Sequence, residues 1–286
     1  MPTAQINGVT IYYEETGEGE PLVFSHEYAG DYRSWAPQVR AFARRYRVIT
    51  YSHRGYLPSE VPSDPAHYSQ ELLVEDLRGL LDHLAIEQAH VCGLSMGGYV
   101  TLAFSLAYPE RCRSAVLAGC GTGSDDPAAF RAQGGRISEA IQSQGIAAFA
   151  DGYARGPQRV QFLRKDPLGW REFRDRLAEH DPAGKMLIFA NVQCKRRTVY
   201  DFAEQMRAST VPTLIITGDE DEGCLKPGLF MKAQIPGAGL AMLPMTGHTI
   251  NLEEPDRFNA LVLDFLTQVE QRRWPSHDDT SAGSAF

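Results

Sequence analysis

The hydrophobic and polar positions of the first 118 residues alternate between two periodicities. Apolar positions at helical spacing predict one helix over about 34–45 and another on the stretch with Leu73, Leu77 and Leu81. Strands that alternate with helices predict a mostly parallel central sheet with helices on both faces, an α/β fold. The predicted strands, from alternating or continuously apolar runs, are 9–13, 22–25, 46–51, 90–94 and 114–118.

The alternation of strands and helices stops at residue 121. From Gly121 to about Met206 the apolar spacing is helical, and no run favours a strand. The pairs Asp126-Pro127 and Asp181-Pro182 are typical of helix starts, with the aspartate as N-cap and the proline in the first turn. This stretch therefore predicts a helical insertion.

The sheet resumes with apolar runs at 213–217 and 240–243, and a last amphipathic helix follows. We expect the following organisation: residues 1–120 and 207–274 as the core, 121–206 as an inserted helical cap, and 275–286 as a disordered tail.

The turn after the strand at 90–94 has the form Gly-x-Ser-x-Gly, with Gly93, Ser95 and Gly97. Such a strand–turn–helix strains the backbone of its serine and exposes the hydroxyl. Glycine fits the two flanking positions, where a Cβ would collide with the strand or the helix. The helix N-terminus behind Ser95 favours negative charge that develops beside the hydroxyl. Ser95 is therefore the candidate nucleophile.

A serine nucleophile needs a base, and the base needs a group that holds it. His248 follows the last predicted strand, and Asp219 and Asp221 follow the strand before it. Because the carboxyl ends of parallel strands lie at one edge of a sheet, we expect these side chains to meet Ser95 there. The order Ser, Asp, His is one of three known arrangements of this constellation.

The Gly-x-Ser-x-Gly turn, the Gly-Asp-x-Asp turn and the Gly247-His248 pair together resemble the α/β-hydrolase fold superfamily over about residues 5–272. Within it, the chain looks most like capped carboxylesterases and enzymes similar to 3-oxoadipate enol-lactonase. The resemblance implies an α/β-hydrolase fold and a triad of Ser95, Asp221 and His248. Asp219 is the alternative acid, and otherwise a turn or cap residue.

The resemblance also implies acyl transfer to Ser95, with His248 as general base and water cleaving the acyl-enzyme. By the family pattern, the backbone N–H groups of Tyr28 and Met96 form the oxyanion hole. The nucleophile is serine rather than the aspartate of related dehalogenases and epoxide hydrolases.

The loop after the strand at 22–25 departs from the family, since His26-Glu27 stands where His-Gly is usual. A carboxylate here would repel a developing oxyanion unless it points away or is neutral. Two interpretations are open for Glu27: it contacts the substrate or acts on it as an acid, or it faces solvent or pairs with Arg54. His26 is expected to support the loop, and six further histidines are expected to be surface or structural residues: His53, His67, His83, His90, His180 and His277.

Three functions fit the motifs. The first is a serine hydrolase that cleaves a carboxylic ester, a lactone or a related small acyl substrate. The second is a ligand receptor or pseudoenzyme of the same fold without turnover. The third is a C–C bond hydrolase, cofactor-free lyase or perhydrolase that uses the same serine.

Composition narrows the partners. The 286 residues carry a formal net charge of −8, and the only dense basic cluster, Lys195-Arg196-Arg197, is predicted to be a solvated helix end. We therefore expect a small-molecule partner and no nucleic acid. The odd set of five cysteines without CxxC spacing, and the lack of a signal or membrane-spanning run, predict a cytoplasmic protein. No HExxH, ligand cluster or GxGxxG motif indicates a metal or other cofactor, and a monomer or homodimer is expected.

Overall fold

The computed structural model describes residues 2–275, so His277 and all but the first residue of the expected tail lie outside it. The described chain contains one eight-stranded sheet in the order β1-β2-β4-β3-β5-β6-β7-β8. The strands are β1 Thr3–Ile6, β2 Val9–Thr16, β3 Glu20–Ser25, β4 Tyr46–Tyr51, β5 Ala89–Leu94, β6 Cys112–Ala118, β7 Thr213–Gly218 and β8 Ala238–Leu243.

The α-helices of the described residues lie between and after these strands. They are α1 Ala36–Phe42, α2 Gln70–His83, α3 Met96–Ala107, α4 Pro127–Ala154, α5 Val160–Lys165, α6 Pro167–Ala178, α7 Pro182–Ile188, α8 Ala203–Arg207, α9 Glu222–Gln234, α10 Ile250–Glu253 and α11 Pro255–Glu270.

Strands β3 to β8 run parallel, and only β1 and β2 pair antiparallel with their neighbours. Side chains of a strand point to alternate faces, so Leu22 and Phe24 of β3 pack in one core with α1 and α11. Val23 packs in the other core, with α2 and α3. The predicted α/β class, a mostly parallel sheet covered on both faces, is confirmed.

Some element predictions need correction. Strand β1 was not predicted, although Asn7-Gly8 forms a two-residue turn with positive φ at both residues that joins β1 to β2. The helix expected over 34–45 is a 3₁₀ turn at Tyr32–Trp35 followed by the short α1. Asp31 caps the 3₁₀ turn, and its side chain accepts from the N–H of Arg33.

The segment between β6 and β7 contains helices α4 to α8 and no strand in the part of the chain that is described. Asp126 and Asp181 cap α4 and α7, with proline in the first turn, as predicted. Asp166 caps α6 in the same way. None of the helices within residues 2–275 has the length and apolar character needed to cross a membrane.

Among the remaining histidines, His53, His90 and His180 are buried. His90 lies in β5, with its Nδ1 2.7 Å from the hydroxyl of Ser114 on β6. Burial, assisted by the positive charge of Arg113, lowers the pKa of His90 to about 4. The imidazole is therefore neutral in the folded protein at neutral pH.

This depressed pKa predicts acid sensitivity. Below its ordinary pKa of about 6.5, His90 binds a proton in the unfolded chain but not in the fold, so stability falls as pH drops from 6.5 towards 4. Between pH 7.5 and 5.5 this one residue should account for about 1 kcal/mol, or about 2–4 °C in melting temperature. The drop in melting temperature between pH 7.5 and pH 5.5 should be larger in the unmodified protein than in His90→Asn by that amount. Thermal melts of both proteins at both pH values measure it. An equal drop in both proteins would contradict the assignment.

Candidate active site

Ser95 stands at the turn between β5 and α3, with φ 56° and ψ −110°. Its N–H donates to the carbonyl of Ala118 at the end of β6, at 2.8 Å. A Cβ on Gly97 would overlap the Ser25 carbonyl of β3, and one on Gly93 would overlap the Gly97 carbonyl. The two glycines therefore let the turn pack directly against the neighbouring strand end, as the sequence predicted.

His248 lies in the loop after β8, and its Nδ1 is 2.6 Å from Oδ2 of Asp221, which follows β7. Both side chains are buried. Burial alone would raise the pKa of Asp221, but the interaction with His248 and hydrogen bonds from His248 and Cys224 lower it below its usual value. An ionised carboxylate thus faces the imidazole Nδ1, which favours the tautomer with a free Nε2.

Asp219, the alternative acid, does not contact His248. It is exposed, and its Oδ1 accepts from the N–H of Thr246 at 3.2 Å. The N–H of Asp219 donates to the Leu243 carbonyl, and that of Glu220 donates to the Thr246 carbonyl, both at 3.0 Å. These bonds join the loops after β7 and β8, so Asp219 sets the spacing from which Asp221 reaches the imidazole.

Asp221, Cys224 and His248 form a cluster that the sequence analysis did not foresee, with their potential ligand atoms within 4.8 Å of one another. The contact between Nδ1 and Oδ2 has the length of a hydrogen bond, and burial raises the pKa of the Cys224 thiol well above its ordinary value. A protonated thiol that bridges Asp221 and the hydroxyl of Thr122, at 3.1 Å, explains these contacts without a cation.

His26 fixes the loop after β3. Its Nε2 accepts from the N–H of His53 at 3.0 Å, which leaves Nδ1 to donate to the Glu27 carbonyl at 2.7 Å. Burial lowers the pKa of His26 to about 4, so the ring is neutral. Because a trans peptide bond directs C=O and N–H to opposite sides, holding the Glu27 carbonyl also orients the N–H of Tyr28. His26 therefore supports the loop, as expected.

Glu27 has a partner that neither sequence interpretation named. The side chain is 2% exposed, and Arg159 from the helical insertion contacts its two carboxylate oxygens at 3.0 and 2.5 Å. Arg54, the partner considered from sequence, instead forms a buried ion pair with Asp76. Burial would raise the pKa of Glu27, but the charge of Arg159 lowers it, so the pair is ionised. The carboxylate is neutralised by pairing and does not face solvent.

The helical insertion contacts the loops after β3, β7 and β8 through residues 158–165. The Gln158 carbonyl accepts from the N–H of His248 at 2.9 Å, and the Arg159 guanidinium donates to the hydroxyl of Thr249 at 2.5 Å. Gln161 donates to Glu220 at 2.7 Å, next to Asp221. The backbone around His248 is therefore held partly by the insertion.

Tyr28, the residue after Glu27, is also contacted by a basic residue of the insertion. Its carbonyl accepts from the hydroxyl of Tyr56 at 3.0 Å and from the buried Nζ of Lys185, which also lies 3.4 Å from the centre of the Tyr28 ring. Burial lowers the pKa of Lys185 well below its ordinary value. Basic residues of the insertion thus contact both residues of the Glu27-Tyr28 pair.

Ser95, Tyr28 and His248 line one cavity of about 490 Å³. Much of the remaining wall comes from the insertion, including Phe130, Ile137, Tyr153, Arg159, Phe189 and Arg196. Glu27 and Asp221 are buried and are not among the residues that line the cavity. Met96 is the first residue of α3, so its N–H has no carbonyl partner within the helix.

Arg196 corrects the prediction for the basic cluster at 195–197. It is half-buried and lines the cavity, because its guanidinium packs 3.6 Å from the centre of the Tyr99 ring. Lys195 and Arg197 are exposed, as a solvated helix end requires.

Sequence reasoning missed Arg159, Cys224 and Arg196. Arg159 lies among other arginines of the insertion, and nothing local marks it as the partner of a residue 132 positions away. Cys224 lies one helical turn after Asp221, and that spacing was the one available signal.

The fold and the loops at its strand ends define a class. Residues 20–255 match the family model described as alpha/beta hydrolase fold, and the chain belongs to this family. It is an α/β-hydrolase enzyme.

Among known proteins, the chain is similar to the putative carbamate hydrolase RutD of Azorhizobium caulinodans, with 27% identity over 95% of this chain and 100% of the relative. It is also similar to 3-oxoadipate enol-lactonase 1 of Acinetobacter baylyi, with 29% identity over 92% and 95% of the two chains. The crystal structure of the enol-lactonase from Burkholderia xenovorans LB400 superposes with a TM-score of 0.82, at 29% identity over 93% and 100%. The resemblance to enol-lactonases is confirmed.

The packing at Gly97 generates a first prediction for this site. Gly97→Ala should destabilise the protein by about 1–3 kcal/mol or more, because the methyl group meets backbone atoms that cannot move aside. It should also lower kcat by displacing Ser95. Gly135→Ala in α4, where a Cβ meets nothing within 4 Å, is the matched control and should be neutral or slightly stabilising. Urea denaturation and esterase kinetics measure both effects, and equal behaviour of the two variants would contradict the packing argument.

The Glu27–Arg159 pair generates a second prediction. Arg159→Met leaves a buried carboxylate without its cation and should destabilise the protein by about 3–5 kcal/mol, with a large loss of kcat. The double variant Glu27→Gln/Arg159→Met removes both charges and should recover much of the stability and part of kcat.

Arg164→Met, at an exposed position on α5, is the control for the loss of an arginine in this segment. If the double variant is as unstable and as inactive as Arg159→Met, neutralisation of Glu27 is not what Arg159 provides.

Proposed function

We propose that the protein is a serine hydrolase that cleaves a carboxylic ester, a lactone or a related small acyl substrate through an acyl-enzyme. The observation that carries the proposal is the 2.6 Å contact between His248 and buried Asp221, with His248 and Ser95 lining one cavity. The cavity volume of about 490 Å³ lies in the range of small-molecule sites and supports a small substrate.

In this mechanism the Ser95 oxygen bonds to the acyl carbon while Nε2 of His248 takes the hydroxyl proton. Asp221 accepts from Nδ1–H and stabilises the imidazolium that forms. His248 then gives the proton to the leaving alcohol as the ester bond breaks. Water, deprotonated by the same imidazole, attacks the acyl-enzyme and releases the acid and free Ser95.

The tetrahedral intermediates place negative charge on the former carbonyl oxygen, and the N–H groups of Met96 and Tyr28 are the proposed donors to it. The position of Met96 at the start of α3 and the fixed orientation of the Glu27–Tyr28 peptide support this assignment. The charge of Arg159 keeps the ionised Glu27 from opposing the oxyanion.

We propose that residues 121–206 act as a cap over this site, with residues 1–120 and 207–274 as the core. The cavity wall from Phe130, Ile137 and Phe189 supports the cap, because these apolar side chains of the insertion line the same cavity as Ser95. The contacts of Gln158 and Arg159 with the loops of His248 and Glu27 support a cap that also positions catalytic groups.

Turnover and covalent labelling test the proposal. The protein should hydrolyse p-nitrophenyl acetate and react with a fluorophosphonate probe at Ser95, and Ser95→Ala should lose both. Absence of labelling and turnover in a folded protein would favour the ligand receptor. Cleavage of a C–C bond in a substrate panel, without ester hydrolysis, would favour the third function.

The assignment of the acid is tested by a matched pair of variants. Asp221→Asn should lower kcat by about 10⁴, because the amide favours the wrong imidazole tautomer and cannot stabilise the imidazolium. Asp219→Asn should retain kcat to within about tenfold, because that side chain only accepts from a backbone N–H. A loss of tenfold or less in Asp221→Asn would exclude it as the orienting acid.

A further inference from the structure

Lys185 of α7 carries a buried amine for which the proposed mechanism has no role. The residue is 0% exposed, and no carboxylate within residues 2–275 forms an ion pair with its Nζ. Glu27 and Asp31, the carboxylates that act on its pKa, are each paired with an arginine. Burial therefore favours the neutral amine, and a buried amine is costly unless it is hydrogen-bonded.

The hydrogen bond of this amine goes to Tyr28, in the loop after β3. Nζ of Lys185 donates to the Tyr28 carbonyl and lies 3.4 Å from the centre of the Tyr28 ring. The hydroxyl of Tyr28 in turn donates to the backbone carbonyl of Lys185 at 3.2 Å. One residue of the insertion therefore contacts the backbone, the ring and the hydroxyl of Tyr28, which lines the cavity together with Ser95.

The backbone of Lys185 is fixed by contacts outside the catalytic loops. Asp181 caps α7 by accepting from the N–H of Gly184 at 2.8 Å. Gly184 packs so closely on the loop after β4 that a Cβ there would overlap the Gly55 carbonyl. The amine of Lys185 therefore reaches the loop after β3 from a backbone position that the core holds in place.

Tyr28 lies between two peptide groups that are held by different parts of the structure. The peptide before it contains the Tyr28 N–H, and His26 donates to the Glu27 carbonyl of that peptide at 2.7 Å. The peptide after it contains the Tyr28 carbonyl, which accepts from Lys185 and from the hydroxyl of Tyr56, the latter at 3.0 Å. Because peptide groups are planar, holding both restricts φ and ψ of Tyr28 and therefore the direction of its N–H.

We propose that Lys185 is a positioning residue of the oxyanion hole, which directs the N–H of Tyr28 by holding the Tyr28 carbonyl. The inference rests on the proposed function, in which this N–H donates to the oxyanion that forms when Ser95 attacks. Lys185 is not among the residues that line the cavity, so it acts through Tyr28 and not on the substrate. Its effect should therefore appear when charge develops on the carbonyl oxygen, and not when the substrate binds.

Lys185→Met removes the donor and keeps an unbranched side chain of similar length. The kcat for p-nitrophenyl acetate should fall by about 10–100-fold and KM should change less than about threefold, because the Tyr28 N–H acts mainly in the transition state. The free energy of unfolding should not fall, since Tyr56 still donates to the carbonyl and the variant buries no amine. Lys195→Met, at an exposed position of the same insertion, is the control and should leave kcat, KM and stability unchanged.

A pair of ketone inhibitors gives a readout that a merely structural role would not change. Ser95 adds to the carbonyl carbon of pentyl trifluoromethyl ketone while its proton passes to His248, and the former carbonyl oxygen carries the negative charge. Pentyl methyl ketone has the same chain and binds without this addition, because its carbonyl carbon is much less electrophilic. Lys185→Met should weaken inhibition by the trifluoromethyl ketone by about 10–100-fold and inhibition by the methyl ketone by less than about threefold.

Tyr56→Phe removes the second donor to the same carbonyl and keeps the aromatic ring. Each single variant leaves one donor on the Tyr28 carbonyl, so Lys185→Met/Tyr56→Phe should lose more kcat than the product of the two single losses. If Lys185→Met does not fold, Lys185→Gln is measured with the same two ketones. Its shorter side chain should not reach the carbonyl in the same way, so it should show the same selective loss.

The two ketones also separate this inference from the proposed function. Equal inhibition of the unmodified protein by both ketones, without turnover of the ester, would overturn the serine hydrolase itself. A preference for the trifluoromethyl ketone that persists unchanged in the Lys185 variants would overturn the positioning role alone. An equal weakening of both ketones, or single losses that simply multiply in the double variant, would overturn it as well.

Discussion

The ion pair between Glu27 and Arg159 is the interaction on which the arrangement around Ser95 depends. It joins a strand-end loop of the sheet to a helix far away in the sequence, and both side chains are buried. A lone buried carboxylate at this place would be costly, and it would oppose the formation of an oxyanion. The sheet can therefore carry glutamate in this loop only because the insertion between β6 and β7 supplies an arginine.

The sheet was predictable, and the triad could be proposed, because their signals are local and the rule that combines them is general. The turn at Ser95, the Gly218-Asp219 turn and Gly247-His248 each follow a predicted strand, and parallel strands end at one edge. The choice between Asp219 and Asp221 needed the family resemblance, since both follow β7. In the structure the backbone bonds of Asp219 leave Asp221 to face the imidazole.

The features that the sequence did not reveal depend on contacts between residues that are far apart in the sequence. The partner of Glu27 is 132 positions away, and an arginine among other arginines has no feature that identifies its partner. Arg196 was assigned to solvent because runs of basic residues usually are exposed. The Tyr99 ring, on the helix that follows the Ser95 turn, and the Thr122 carbonyl hold its guanidinium in the cavity wall. The missed strand β1 is a different case, because the Asn7-Gly8 turn signal was present in the sequence.

The hydrogen bond from the N–H of His248 to the Gln158 carbonyl ties residues 158–165 to the loop after β8. If residues 158–165 moved away from the sheet as a unit, that bond would break together with the contacts to Glu27, Thr249 and Glu220. Movement of these residues would remove the backbone partner of His248. Opening the cavity through residues 158–165 would therefore cost all four of these contacts.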